Sequence, residues 1–71
     1  MMMYGNNRTR MTGIIRDVQK KMAVVEFTDK KRQFTIPKSF IHSPLEKNPN
    51  KQQEIEIDTW YLMRNRIIPP E

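Results

Sequence analysis

Met22-Ala23-Val24-Val25-Glu26-Phe27-Thr28 sets the reading of this chain. Its side chains alternate with a period of two, so Ala23, Val25 and Phe27 share one face while Glu26 and Thr28 share the other. That is the pattern of a half-buried β-strand. Upstream, Met11-Thr-Gly-Ile-Ile-Arg-Asp-Val-Gln19 is rich in β-branched residues and has no helical period, and it reads as a first strand. Gly13 inside it predicts a bend or bulge. Downstream, Gln33-Phe34-Thr35-Ile36 alternates again and turns Phe34 and Ile36 inward. Gln19-Lys20-Lys21 and Asp29-Lys30-Lys31-Arg32 are the polar turns between these segments, so the three form an antiparallel meander.

Pro37 has no N–H to donate and ends the third strand. Lys38 to Ile41 reads as a tight or single helical turn that brings Phe40 or Ile41 to the core. Residues 42–51 contain two prolines and two asparagines and read as an exposed loop. Gln52-Gln-Glu-Ile-Glu-Ile57 is a fourth strand with Ile55 and Ile57 inward. Asp58 is placed to cap a short helix over Thr59–Arg64 with its carboxylate. Trp60 and Met63 share one face of that helix, which predicts that Trp60 anchors it to the sheet. Asn65 occupies the position of a left-handed cap. Ile67 and Ile68 read as a last strand or a core plug. The fold class is therefore mainly β: a small antiparallel barrel or meander, SH3-like or OB-like, with one short C-terminal helix. Residues 1–10 read as a disordered arm, 11–68 as a single domain and 69–71 as a tail.

Phe34-Thr-Ile-Pro-Lys-Ser-Phe-Ile41, followed by Glu54-Ile-Glu-Ile-Asp-Thr-Trp-Tyr-Leu62, resembles small uncharacterised phage and bacterial proteins. In those chains a strand ends in an aromatic-x-aliphatic-Pro-Lys-Ser motif, and an acidic strand runs into a Trp-Leu helix. The resemblance covers residues 22–68. Tyr61 between Trp60 and Leu62, and Asn65 in place of a glycine cap, depart from the pattern. The resemblance implies a small β-barrel with a terminal helix and no assigned activity.

With 71 residues, the chain is one domain that buries only about 60% of the surface its unfolded form exposes. It has no cysteine, which excludes disulfides and thiolate metal sites. Its apolar runs fall far short of the roughly 20 residues that span a bilayer, and the N-terminus lacks an apolar signal core. A cytoplasmic, non-membrane protein is the expectation.

The net charge is +5 and uneven. Residues 1–38 hold nine basic groups against three acids, a net of +6, whereas residues 39–71 hold four against five, a net of −1. The only histidine, His42, sits in the loop near Ser39 and Ser43 with no set partner, so no catalytic group is assigned and the chain is read as a non-enzyme. Glu54, Glu56 and Asp58 lie on one side of a strand and read as a solvated face rather than a cation site. No metal or cofactor is implied. The basic turns carry the functional reading: Arg16, Lys20, Lys21, Lys30, Lys31 and Arg32, with Lys38 as a further candidate, form a positive stripe suited to the phosphates of nucleic acid. Phe27, Phe34 and Trp60 are assigned to the core, which leaves Tyr4 and Tyr61 as candidate exposed rings. Two functions remain open. One is a nucleic-acid-binding module. The other is a protein-interaction module, a small subunit or inhibitor docking on a larger partner, with an open sheet edge that could also pair with a second copy.

Overall fold

Strict alternation of buried and half-buried residues runs along Met22–Phe27, and the remaining strands assemble around it. The computed structural model describes residues 7–69. Four strands, β1 (Arg8–Val18), β2 (Met22–Phe27), β3 (Gln33–Pro37) and β4 (Gln53–Asp58), form one open sheet in the order β3-β2-β1-β4. All neighbours are antiparallel. A 3₁₀ turn, Lys38–Phe40, follows β3, and a six-residue helix α1, Thr59–Arg64, follows β4. The domain is thus mainly β with a short C-terminal helix, as the alternation patterns require. None of the described helices is long and apolar enough to cross a membrane.

β1 serves two partners in succession. Arg8 to Gly13 pairs with β4, and Gly13 to Val18 pairs with β2, so Gly13 stands opposite both Phe27 and Gln53. The bulge lies three residues beyond the glycine, where the register slips between Ile15 and Asp17 and leaves Arg16 as the extra residue. What requires glycine at 13 is close approach: a Cβ there would lie 2.9 Å from the Glu26 carbonyl oxygen. β1 also begins at Arg8, so residues 8–10 are rungs of the β1–β4 ladder and not part of a disordered arm. That ladder is non-local, and β1's own first residues give no apolar pattern to announce it. Residues 1–6 of the arm, and Pro70 and Glu71 of the tail, lie outside the described residues.

One face of the sheet is the core. Ile15, Ala23, Val25, Phe27, Ile36, Ile55 and Ile57 are fully buried, joined by Leu62 from α1 and Ile67 beyond it. Phe40 and Ile41 both pack against this cluster, as does Leu45 from the otherwise exposed 42–51 loop. Ile67 is a plug and not a strand. The free edge of β4 is covered by residues 41–43. Ile41 bridges Ile57, the His42 N–H donates to the Glu56 carbonyl at 2.8 Å, and the Glu56 N–H donates to Ser43 Oγ at 3.0 Å. The outer edge of β3 has no such cover among the described residues.

Three expectations about α1 are corrected. Asp58 stands at the N-cap position but makes no capping bond; its Oδ1 lies 2.7 Å from His42 Nε2 instead. The left-handed residue is Arg66 (φ 59) and not Asn65. The Arg66 N–H donates to the Met63 carbonyl at 3.1 Å and the Ile67 N–H to the Leu62 carbonyl at 2.8 Å. Those bonds form a Schellman motif, in which the residue after the cap turns left-handed and the next is apolar. Ile67 is that apolar residue, and it moves the motif one position along. Finally, the side chain that anchors α1 is Leu62, the only buried residue of the helix.

Candidate nucleic-acid interface

The placement of carboxylates decides which cations remain available. Among the described residues five acids sit within 4 Å of a lysine or arginine, and a sixth, Asp58, faces His42. Arg10, Arg16, Lys47 and Lys51 are consumed in these pairs. The other nine of the 13 lysine and arginine residues have no carboxylate partner among the described residues.

Arg16 stands apart from the residues grouped with it on sequence. Its Nε and Nη2 lie 2.8 and 2.7 Å from Glu26 Oε1, because the ladder sets Ile14 opposite Glu26 and the bulge swings Arg16 over it. Arg10 likewise neutralises the Glu54–Glu56 face, at 3.7 and 3.1 Å. No group of three or more histidine, cysteine or acidic side chains that could hold a metal ion is present among the described residues. The exposed carboxyl of Asp17 is held below its usual range by a hydrogen bond from Gln19 and by Lys47. Lys51 does the same for Glu46.

Eight of these nine gather at the two ends of β2, and the ninth, Arg8, lies at the start of β1 opposite Asp58. At one end Lys20, Lys21 and Lys38 line an open groove of about 380 Å³ with Met22, Pro37 and Ser39. The Lys38 N–H donates to the Lys21 carbonyl at 2.8 Å, which fixes the 3₁₀ turn against the β1–β2 turn. At the other end Lys30, Arg64 and Arg66 line an open depression of about 610 Å³ with Met63, Ile67, Ile68 and Pro69. Lys31 and Arg32 are exposed beside Lys30 in the same turn, and the Arg32 guanidinium lies 4.8 Å from the centre of the Phe34 ring. The run of strand from Lys21 to Thr28 separates the two ends by roughly 23 Å.

Sequence reasoning passed over Arg64, Arg66 and the exposed side of Trp60. Counting charge by chain halves hid the two arginines inside a net −1. The signal for Trp60 and Arg64 lay in the helix phase: with Leu62 inward, positions 60 and 64 point away from the core. Trp60 is accordingly half-buried and outside the set of side chains packed on the core. It meets Phe40 edge-on at 5.1 Å and Tyr61 at 6.1 Å, while Phe40 and Tyr61 stack at 4.5 Å. Burial pushes the Tyr61 phenol up. Phe27 is in the core as expected, and Phe34 is half-buried against it. Tyr4 lies outside the described residues.

Backbone strain falls on this same surface. Lys31 (φ 58) and Arg66 (φ 59) are the only non-glycine residues with positive φ among those described. A residue with a Cβ pays about 1 kcal/mol or more in that region, yet both positions hold long cations. Arg66→Gly is expected to raise the stability of the domain by about 1 kcal/mol, or some 4–8 °C in melting temperature. It should also weaken polyanion binding. Thermal melting with a parallel binding titration checks both signs; a lower melting temperature would mean that the Arg66 side chain contributes packing that outweighs the strain. Comparison of the chain with family models, with curated proteins and with solved structures finds no match.

Proposed function

We propose that this chain is a small, non-catalytic module that binds nucleic acid through phosphate contacts. The observation that carries the reading is the sorting of charge. Carboxylates neutralise Arg10 and Arg16 on β1, while lysines and arginines with no carboxylate partner among the described residues collect at both ends of β2. Roughly 23 Å is about seven nucleotides of one strand at 3.4 Å each. One nucleic acid could therefore engage both ends. The long β1, shared between two partners, supports reading the sheet as barrel-like, in the manner of SH3-like or OB-like domains. Such folds host many unrelated functions, so the charge pattern and not the fold carries the proposal.

Of the residues assigned on sequence, Lys20, Lys21, Lys30, Lys31 and Arg32 keep their role as phosphate contacts in this proposal. Lys38, Arg64 and Arg66 join them, and Arg16 is left to Glu26. Binding should fall linearly in log affinity with log salt. Each phosphate that a cation neutralises adds roughly 0.9 to that slope on a duplex. Changing Lys30, Lys31 and Arg32 together to glutamine is therefore expected to flatten it by about 2.7. Fluorescence anisotropy with labelled duplex and single strands at two or more salt concentrations measures it. No binding at low salt would overturn the proposal.

A second reading is favoured by one feature. The outer edge of β3 is uncovered among the described residues, and cations flank it at both ends. An extended acidic segment of a protein partner could add to that edge as a fifth strand. Loss of binding on breaking the edge pairing, with nucleic acid inert, would decide for it.

A further inference from the structure

We infer that the nucleic acid is single-stranded, and that Trp60 is the platform on which one of its bases stacks, with Arg64 taking the neighbouring phosphate. This rests on the nucleic-acid reading and narrows it. Three observations meet at the outer side of α1.

The first is helix phase. Successive residues of an α-helix are turned by about 100°, and Leu62 is the one buried side chain of α1. The direction opposite Leu62 falls between positions 60 and 64, so Trp60 and Arg64 lie on the side of the helix away from the buried leucine, Arg64 exposed and Trp60 half-buried. Trp60 touches the rest of the domain through the Phe40 and Tyr61 rings and lies outside the set of side chains packed on the core. The second is the state of the ring. Trp60 is braced from the side by Phe40, in a near-perpendicular contact of 88°, and by Tyr61 at 82°. In such edge-to-face contacts neither neighbour lies flat on the indole. Its N–H has no protein acceptor among the described residues, and no buried polar side-chain atom there lacks a partner.

The third is what lies one turn away. Residues four apart on a helix bring their Cβ atoms to about 5–6 Å, so Arg64 stands beside Trp60. Arg64 is in turn a wall of the depression that holds Lys30 and Arg66. A base lying on Trp60 thus places its backbone over a row of unpaired cations. Aromatic platforms beside a positive groove are how single strands are held without sequence preference. A duplex cannot use the platform, because its base faces are already stacked on one another.

The test uses the full chain, oligothymidylate as the single strand and a hairpin duplex of equal phosphate number. Trp60 is the sole tryptophan, so its emission reports its own site. The single strand is expected to quench that emission and to bind more tightly than the hairpin. Trp60→Leu should weaken the single strand by about 5- to 150-fold, the range that stacking of 1–3 kcal/mol per base represents. The salt slope should not move, because no charge is removed. Trp60→Phe, which keeps a ring, should retain most of the affinity and guards against a Trp60→Leu chain that fails to fold. Arg64→Gln should do the reverse and reduce the single-strand slope by about 0.7. Salt-dependent binding with unquenched Trp60 and an unaffected Trp60→Leu variant would overturn this inference and leave the phosphate reading standing. So would equal affinity for hairpin and single strand. Absence of binding to either probe would remove both.

Discussion

Leu62→Ala is expected to lower the stability of the domain by about 2–5 kcal/mol, the range for deleting a large aliphatic side chain from a packed core. A chain of this size has a total margin of roughly 4–10 kcal/mol, so the upper half of that range removes from about a third of it to all of it. Leu62 is fully buried, and it is the only buried side chain of α1, with Tyr61 packing on the core beside it. Six residues do not make a helix that is stable in isolation, and the described contacts of α1 with the sheet run mainly to β4. Leu62 also ends the helix, since its carbonyl accepts the N–H of Ile67 at 2.8 Å and of Ile68 at 3.3 Å. Leu62→Ala keeps that carbonyl but removes the side chain that shares the core cluster with Ile67, so the Ile67 plug loses packing together with the helix. At 4–8 °C per kcal/mol, the melting temperature should fall by at least about 8 °C. Circular dichroism melts measure it. Trp60→Leu, by contrast, should shift the melt much less, since Trp60 lies outside the set packed on the core. If Trp60→Leu proves the more damaging substitution, the anchor of α1 has been assigned to the wrong residue.

That contrast also marks how much of this protein was legible in its sequence. Strands β2, β3 and β4 could be read because each carries its own two-residue alternation, and Ala23, Val25, Phe27, Ile36, Ile55 and Ile57 are buried as their positions demand. Features set by a distant partner could not be read. Arg8 to Arg10 become strand only because β4 lies beside them. Arg16 loses its free charge only because the ladder puts Glu26 within 2.7 Å. In α1 the error was one of phase. Trp60 looked like the anchor because it is large and shares a face with Met63, but the direction of the core is fixed by where β4 releases the chain. The candidate surface was legible by half: Lys20, Lys21, Lys30, Lys31 and Arg32 follow from the turns. Arg64 and Arg66 needed the depression they share with Lys30, which no run of basic residues announces.

Gly13 supports the second large effect, and here two tendencies oppose one another. Glycine inside a strand is unfavourable by about 0.5–1 kcal/mol against alanine, and valine is a better strand former still. On propensity alone, Gly13→Val should stabilise β1. Packing reverses the sign. Gly13 is buried and is flanked by β2 and β4 at once. A Cβ there would meet the Glu26 carbonyl oxygen at 2.9 Å, Val25 Cγ1 at 3.2 Å and Phe27 Cα at 3.4 Å. Two of those three atoms are backbone of the strand that carries the core face. They cannot swing aside as the end of a flexible side chain would, so relief requires β1 and β2 to move apart. Overpacking of this kind costs about 1–3 kcal/mol. Gly13→Ala is expected near the lower end, after its gain in propensity, and Gly13→Val at or beyond the upper end, because its two further methyl groups press on the same wall. Urea unfolding should show the midpoint falling in the order glycine, alanine, valine, with the slope unchanged between glycine and alanine as long as unfolding stays two-state. A midpoint that rises for alanine would mean that the sheet opens at the β1–β2 crossing at little cost, and that propensity outweighs contact at the one residue both ladders share.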